Sequence, residues 1–426
     1  MNRMSKGLKR SLAVALAGVS MFSVTAASAV EVTVWCWSPE FNGAAMAAAA
    51  EAYSKINPDV TINVVDFDKG ALEQKLQTQL AAGITDDLPD IVLIEDYGAQ
   101  KYLQSFPGAF EALNGVVDYS QFAPYKVELA SVGDQTYSLP FDSGLTVLYY
   151  RPDILEEAGY SREDLTGITW ERYIEIGKDV EAKTGHKMTS QDVADPGIIR
   201  MMLQSAGSWY FTPEGEPNFV GNPVFKAAMT TFQNYLQSDI YKPTSGWNDY
   251  TGAFIGGEVA SVNSAAWMVG GIKGNPDLSG KWGVVPLPAL TGVDGATNYS
   301  NWGGSSWYVI ATSPEEEKAA AIDFLTKVWG GDVDFYQKIL VGQGAVGSWL
   351  PAREGEAYSS SDEFFAGQPI WADFSTWLGQ IPGVNYGLFT NEADDAVRAQ
   401  LPALADGANV DEVIAAIDAQ VRQQIQ

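Results

Sequence analysis

The chain has 426 residues, 53 acidic against 26 basic side chains, a net charge of −27, one cysteine and one histidine. That acid excess disfavours nucleic acid, anionic lipid surfaces and strongly anionic solutes as partners. One cysteine excludes an intrachain disulfide, and Cys36 with His186 is too little for a Cys/His zinc site.

The chain opens on Arg3, Lys6, Lys9 and Arg10, followed by an apolar or small stretch over 11–24 and by Ala27-Ser28-Ala29. This is the pattern of a secretory signal peptide with its small-x-small cleavage site, too short in its apolar part to span a bilayer. Residues 1–29 are therefore expected to be removed. Because they carry four basic residues and no acid, the charge then falls from −27 to −31. "VTVWC" does not match a lipoprotein processing box, so the expected product is an untethered periplasmic protein, long enough for two domains.

Strands and helices then take turns. "EVTVWCW" (31–37) has strand length, "FNGAAMAAAAEAYSKINP" (41–58) reads as a helix stopped at Asn57-Pro58, and "VTINVVDF" (60–67) is a second strand. A helix over 70–83 sets Leu72, Leu76 and Leu80 on one face and stops at Gly83, and "LPDIVLIED" (88–96) is a third strand. This alternation predicts an α/β fold with mostly parallel sheets flanked by helices. Further on, 136–160 holds strands and a crossover, and 169–185 is a helix from the Thr169 cap to Gly185. An aromatic, helical region reaches about 270, an extended glycine-rich one covers 281–312, and a helix follows over 313–331. From about 360 the tail is mostly helical. No Gly-rich phosphate loop of standard spacing occurs, and no cofactor is expected.

Several stretches together, "PDIVLIEDYGAQKYL", "YSLPFDSGLTVLYYRPDILEEAG", "AFIGGEVASVNSAAW", "KWGVVPLPA" and "GGSSWYVIATSPEEEKAAAIDFLTKV", resemble in order and spacing the sugar-binding group of extracellular solute-binding proteins of bacterial ABC importers. The resemblance spans nearly the whole chain after residue 29. Ala260-Ser261 and Ala265-Ala266 depart from the group's usual Ala-Met and Gly-x-Trp pattern. It implies two lobes joined by hinge crossovers, with lobe 1 over 30–141 and 291–342 and lobe 2 over 142–290 and 343–426. A small-molecule sugar would be held in the cleft between them without catalysis. A monomer would then deliver it to the membrane-bound permease subunits of the importer.

Open α/β sheets bind ligands beyond the carboxyl ends of their strands, which selects Trp37 and Glu40 after the first strand and Asp96 after the third. Carboxylates accept hydrogen bonds from adjacent hydroxyls, and an indole covers the C–H face of a sugar ring. For Asp96 the rival role is a helix N-cap, and for Asp142 in "LPFDSG" a turn. Trp209 and Trp267, with Asn263, are the second-lobe candidates. In "WGGSSWYVI" (302–310), Trp302, Gly304 and Ser305 are candidates, with Gly303 and Gly304 letting backbone N–H groups approach hydroxyls, while Trp307 reads as core. Trp371 is a further loop-boundary candidate. Arg353 in "SWLPAREG" sits where the family often places a basic or polar residue near its ligand, with an ordinary surface arginine as the rival. An exported glycoside hydrolase and a binder of a cationic solute such as a polyamine are the alternative functions.

Overall fold

The computed structural model describes residues 30–425, so the expected signal peptide over 1–29 lies outside them. In chain order the strands are β1 (Val30–Trp37), β2 (Val60–Phe67), β3 (Ile91–Glu95), a short hairpin of β4 (Ser131–Val132) and β5 (Gln135–Thr136), and the long β6 (Ser138–Tyr150). After them come β7 (Thr189–Gln191), β8 (Tyr241–Pro243), β9 (Ser261–Ala265), β10 (Gly283–Pro286) and β11 (Asn301–Val309).

One hydrogen-bonded path runs β10-β6-β11-β3-β1-β2, with β9 also paired to β6. At one end β1 pairs parallel with β2 and β3. At the other end β9 and β10 flank the C-terminal part of β6, both antiparallel. The expectation of mostly parallel sheets thus holds for β1 to β3 and is corrected elsewhere: the sheet is mixed. The cause is β6 and β11, which pair antiparallel to each other and run from one part of the sheet into the other. Two strands that carry the chain out and back must point in opposite senses.

Local signals read from the sequence reappear as structure. The helix Lys69–Ala82 ends at Gly83 with φ 66°, buries Leu72 and Leu76, and is capped by Asp68, whose side chain accepts from the Ala71 N–H. The helix Trp170–Thr184 begins at Thr169 and ends at Gly185 with φ 77°. In the predicted helix over 41–58, the first turn is instead a π-turn, Pro39–Gly43, entered from Ser38 at φ 60°. A non-glycine residue in the left-handed region costs about 1–3 kcal/mol and persists where its surroundings impose it.

Candidate functional site

The site is built where β6 and β11 cross. Asp142 lies opposite Ser305 and Ser143 opposite Gly304, with register shifts at Asn301/Gly304 and at Ser305/Ser306. Gly303 and Gly304 have φ of 79° and 90°, backbone that only glycine enters without strain. A Cβ on Gly304 would sit 2.8 Å from the Asp96 carboxylate, and one on Gly144 only 2.2 Å from the Trp302 carbonyl. The glycine pair therefore lets β11 bulge hard against β6, and the bulge throws out the ring of Trp302.

That ring joins a cluster of three indoles. Trp302 lies 5.6 Å from Trp267 and 6.1 Å from Trp247, and the Trp267 Nε1–H donates to the Trp302 carbonyl at 3.0 Å. Trp302 is buried, Trp267 half-buried, and Trp247 48% exposed, so the cluster runs from the interior to the surface. Trp307 faces the other way and is fully buried, stacked on Phe141 at 5.7 Å.

Beneath Trp302 lies a cavity of about 10 Å³, room for about one water. Its polar lining comes from Thr189, Ser190 and Gln191 of β7, from Asp195, and from Asn263 of β9. Ile198, Met201, Tyr250 and Trp302 supply the apolar part. Asn263 is 6% exposed, and its Oδ1 has no hydrogen-bond partner among the described residues. A buried amide oxygen left unpaired costs about 1–3 kcal/mol, which a donor brought into the cavity would relieve.

The two aspartates selected from the sequence are held inside the protein. Asp96 opens the helix Asp96–Ser105, and both its oxygens lie 2.7 Å from the Lys126 Nζ, which also donates to the Ser305 carbonyl at 2.8 Å. The capping position belongs to Glu95, and Asp96 makes no cap. Burial pushes the Asp96 carboxyl up to about 6, against the opposing pull of Lys126. Asp142 accepts from the Ser305 N–H at 2.8 Å and from its hydroxyl at 2.7 Å, and burial raises its carboxyl as well. Both carboxylates tie the crossing together instead of facing open space.

The carboxylate beside the tryptophans is the preceding residue. A Cβ on Gly303 would be 3.6 Å from the Trp267 Nε1 and 3.8 Å from the Glu95 Oε1, and Glu95 is ion-paired with Lys69. Lys69 also stands 5.9 Å from the centroid of the Trp37 ring, which is half-buried, while Glu40 is exposed on the π-turn.

The remaining candidates fall apart from this group. Trp209 is 2% exposed, its Nε1–H donates to Thr390 at 2.9 Å, and its face stacks on Tyr97 at 5.6 Å. Trp371 is buried in the helix Ile370–Leu378, with the Lys273 Nζ 6.0 Å from its ring centroid. Arg353 lies partly buried in the turn Leu350–Glu354. Trp267, Asn263 and Trp302 therefore gather at one place, Gly304 and Ser305 pack against the buried Asp96 and Asp142, and Thr189, Ser190, Gln191, Asp195 and Glu95 join the first group unselected. The polar run "TSQDVADPG" (189–197) was the available signal for the β7 group, since it ends a short strand and leads into the helix Gly197–Ser205.

Comparison with known proteins fits this geometry. Residues 48–364 match the family model for bacterial extracellular solute-binding proteins. The chain is 54% identical over 422 residues to a lactose-binding protein of Rhizobium radiobacter, covering 99% of both chains. It is 26% identical over 276 residues to an arabinooligosaccharide-binding protein of Bacillus subtilis, covering 63% of this chain and 62% of that one. Among solved structures, the GacH receptor of Streptomyces glaucescens superposes with a TM-score of 0.76 at 19% identity, over 93% of this chain and 98% of that one. A binding protein of B. animalis subsp. lactis in complex with beta-1,6-galactobiose gives 0.74 at 23% identity, over 92% and 98%. These are two-lobe folds, and the chain belongs to the bacterial extracellular solute-binding protein family.

Proposed function

We propose that the protein captures a neutral sugar between its two lobes and delivers it to an ABC importer, without chemical change. The observation that carries this reading is the cavity under Trp302, where an indole adjoins the unpartnered Asn263 oxygen and the Asp195 carboxylate. An apolar face beside hydrogen-bond acceptors suits a ring that presents C–H groups on one side and hydroxyl donors at its rim. The 54% identical relative is named for lactose, which makes a β-galactoside the first sugar to try.

The lobes divide at the crossing strands. We place lobe 1 at 30–141 with the return of β11, and the return itself at Asn301–Gly304 instead of residue 291. The reason is that Ala289 exchanges hydrogen bonds with Ile168 and Trp170, and Thr297 and Ser300 bond to Ser205 and Met201, all in the second lobe. Trp37, Glu40 and Glu95 would then face the ligand from lobe 1, and Asn263, Trp267 and the β7 group from lobe 2, with Trp302 between. A periplasmic monomer that meets permease subunits through its lobe rims completes the reading. No helix of the described residues is long and apolar enough to cross a membrane.

Glycoside hydrolysis is disfavoured because the family and the 54% identical relative are named for solute binding, not for bond cleavage. Calorimetry of the protein lacking residues 1–29 against lactose, other neutral sugars and a polyamine tests the proposal. Heat and a raised melting temperature with a sugar, and intact sugar recovered afterwards, is the expected result. Heat with the polyamine alone, or cleavage of the sugar, would overturn it.

A further inference from the structure

The hydrogen bonds in the wall of the cavity under Trp302 run outward, away from its interior. Four side chains of the lining spend a proton on a nearby backbone carbonyl. The Ser190 hydroxyl donates to the Tyr250 carbonyl at 3.3 Å, and the Tyr250 hydroxyl to the Asn263 carbonyl at 2.9 Å. The Thr189 hydroxyl donates to the Ser190 carbonyl at 3.3 Å, and the Gln191 Nε2 to the Asp192 carbonyl at 2.6 Å. Asp195 accepts the Gly197 N–H on one carboxylate oxygen at 3.0 Å and, as a carboxylate, has nothing to donate.

The Asn263 Oδ1 stands apart from these. It is buried, it has no partner among the described residues, and its residue is 6% exposed. Its backbone is held from behind, paired with Leu148 of β6 and taking the Tyr250 hydroxyl on its carbonyl. A dry acceptor in this position calls for a donor from outside the chain.

Size narrows what can supply that donor. About 10 Å³ takes one water-sized group, so a whole sugar ring does not fit, whereas a single hydroxyl does while its ring stays outside. A hydroxyl both donates and accepts, but a fluorine or an ether oxygen only accepts. A methyl ether also brings a carbon for which the cavity has no room.

We propose that the cavity is a one-hydroxyl subsite: one hydroxyl of the bound sugar enters it and donates to the Asn263 Oδ1, so that Asn263 sets which hydroxyl the protein requires. This rests on the sugar reading given above and adds to it the group that is read and the atom that reads it. A site that satisfies its own buried polar atom through a ligand hydroxyl rejects the analogue lacking that hydroxyl, because the atom is then left unpaired.

Calorimetry with lactose and with its deoxyfluoro and O-methyl analogues, one hydroxyl altered at a time, tests this. At one position or more, both the fluoro and the methyl analogue should lose about tenfold or more in affinity. At one of those positions the fluorine penalty should shrink to less than about threefold in Asn263→Leu, where the partner of that hydroxyl is gone, while penalties elsewhere persist. A cooperative melt confirms that the variant is folded, and Asn263→Ala replaces it if it is not. If no fluoro analogue binds more weakly than lactose, or if every penalty survives undiminished in the variant, the subsite is overturned and the sugar reading stands. No heat with lactose itself overturns the β-galactoside reading and the subsite together.

Discussion

The Lys126 Nζ lies 2.7 Å from both carboxylate oxygens of Asp96, at a point where Lys126 is 0% and Asp96 2% exposed. A buried pair of this kind is costly to build and costlier to break, because removing one partner leaves the other charged and dry. Here it sits under the crossing of β6 and β11, reached also by Ser306 and by the carbonyl of Ser305.

Lys126→Met should destabilise the protein by about 3–5 kcal/mol, measured by denaturant unfolding at pH 7. Adding Asp96→Asn to it should restore a large part of that loss, since no charge then remains buried. A single variant as stable as the wild type would mean that the pair contributes nothing to the fold.

Acidification separates the wild type from Asp96→Asn. The folded Asp96 carboxyl titrates near 6, above the 3.8 of an unperturbed aspartate, so the folded state binds the proton more tightly than the unfolded one. Stability from this group is fully present below about pH 3.8 and is lost as pH rises through 6. Relative to Asp96→Asn, which lacks the group, the wild type should therefore gain stability between pH 7 and pH 4.5. A relative loss over that window would show a carboxyl held below its ordinary value instead.

The two neighbouring glycines of β11 should respond differently to alanine. Both have positive φ, so each variant carries backbone strain of about 1 kcal/mol. At Gly304 the new Cβ also lies 2.8 Å from Asp96, whereas at Gly303 the nearest atom is 3.6 Å away. Gly304→Ala should cost about 2 kcal/mol or more and Gly303→Ala about half of that, read from paired unfolding curves.

Asn263→Leu tests the cavity without disturbing the fold. The Oδ1 has no partner, so an apolar side chain of similar size should leave stability within about 1 kcal/mol. Lactose affinity by calorimetry should fall at least tenfold, about 1.4 kcal/mol. Trp302→Ala should lose about 2 kcal/mol or more of binding, as at other buried aromatic anchors, with some stability lost too. Unchanged affinity in both variants would place the sugar elsewhere.

The candidate site was legible in part, and the parts share a cause. Trp302, Asn263 and Trp267 stand out because rings and an amide beside small residues at strand ends are visible along single stretches. Asp96 was chosen over Glu95 because strand ends in a sequence are uncertain by a residue. That one residue separates a carboxylate paired with Lys126 from one beside the indoles. Trp209 and Trp371 look no different from Trp267 in their local sequence, and only their packing against Tyr97 and under Lys273 sets them apart.

The sequence alone settled what depends on near neighbours: the first three strands, the helix ending at Gly83 and the helix from Thr169 to Gly185. Periodicity, caps and backbone freedom act within a few residues, so they can be read in order along the chain. Which of the 13 tryptophans cluster together, that Lys126 meets Asp96, and that Tyr97 stacks on Trp209 were decided only by the tertiary structure. Those pairings join residues 20 to more than 200 positions apart, and their energies depend on mutual burial, a property that no single stretch of chain contains.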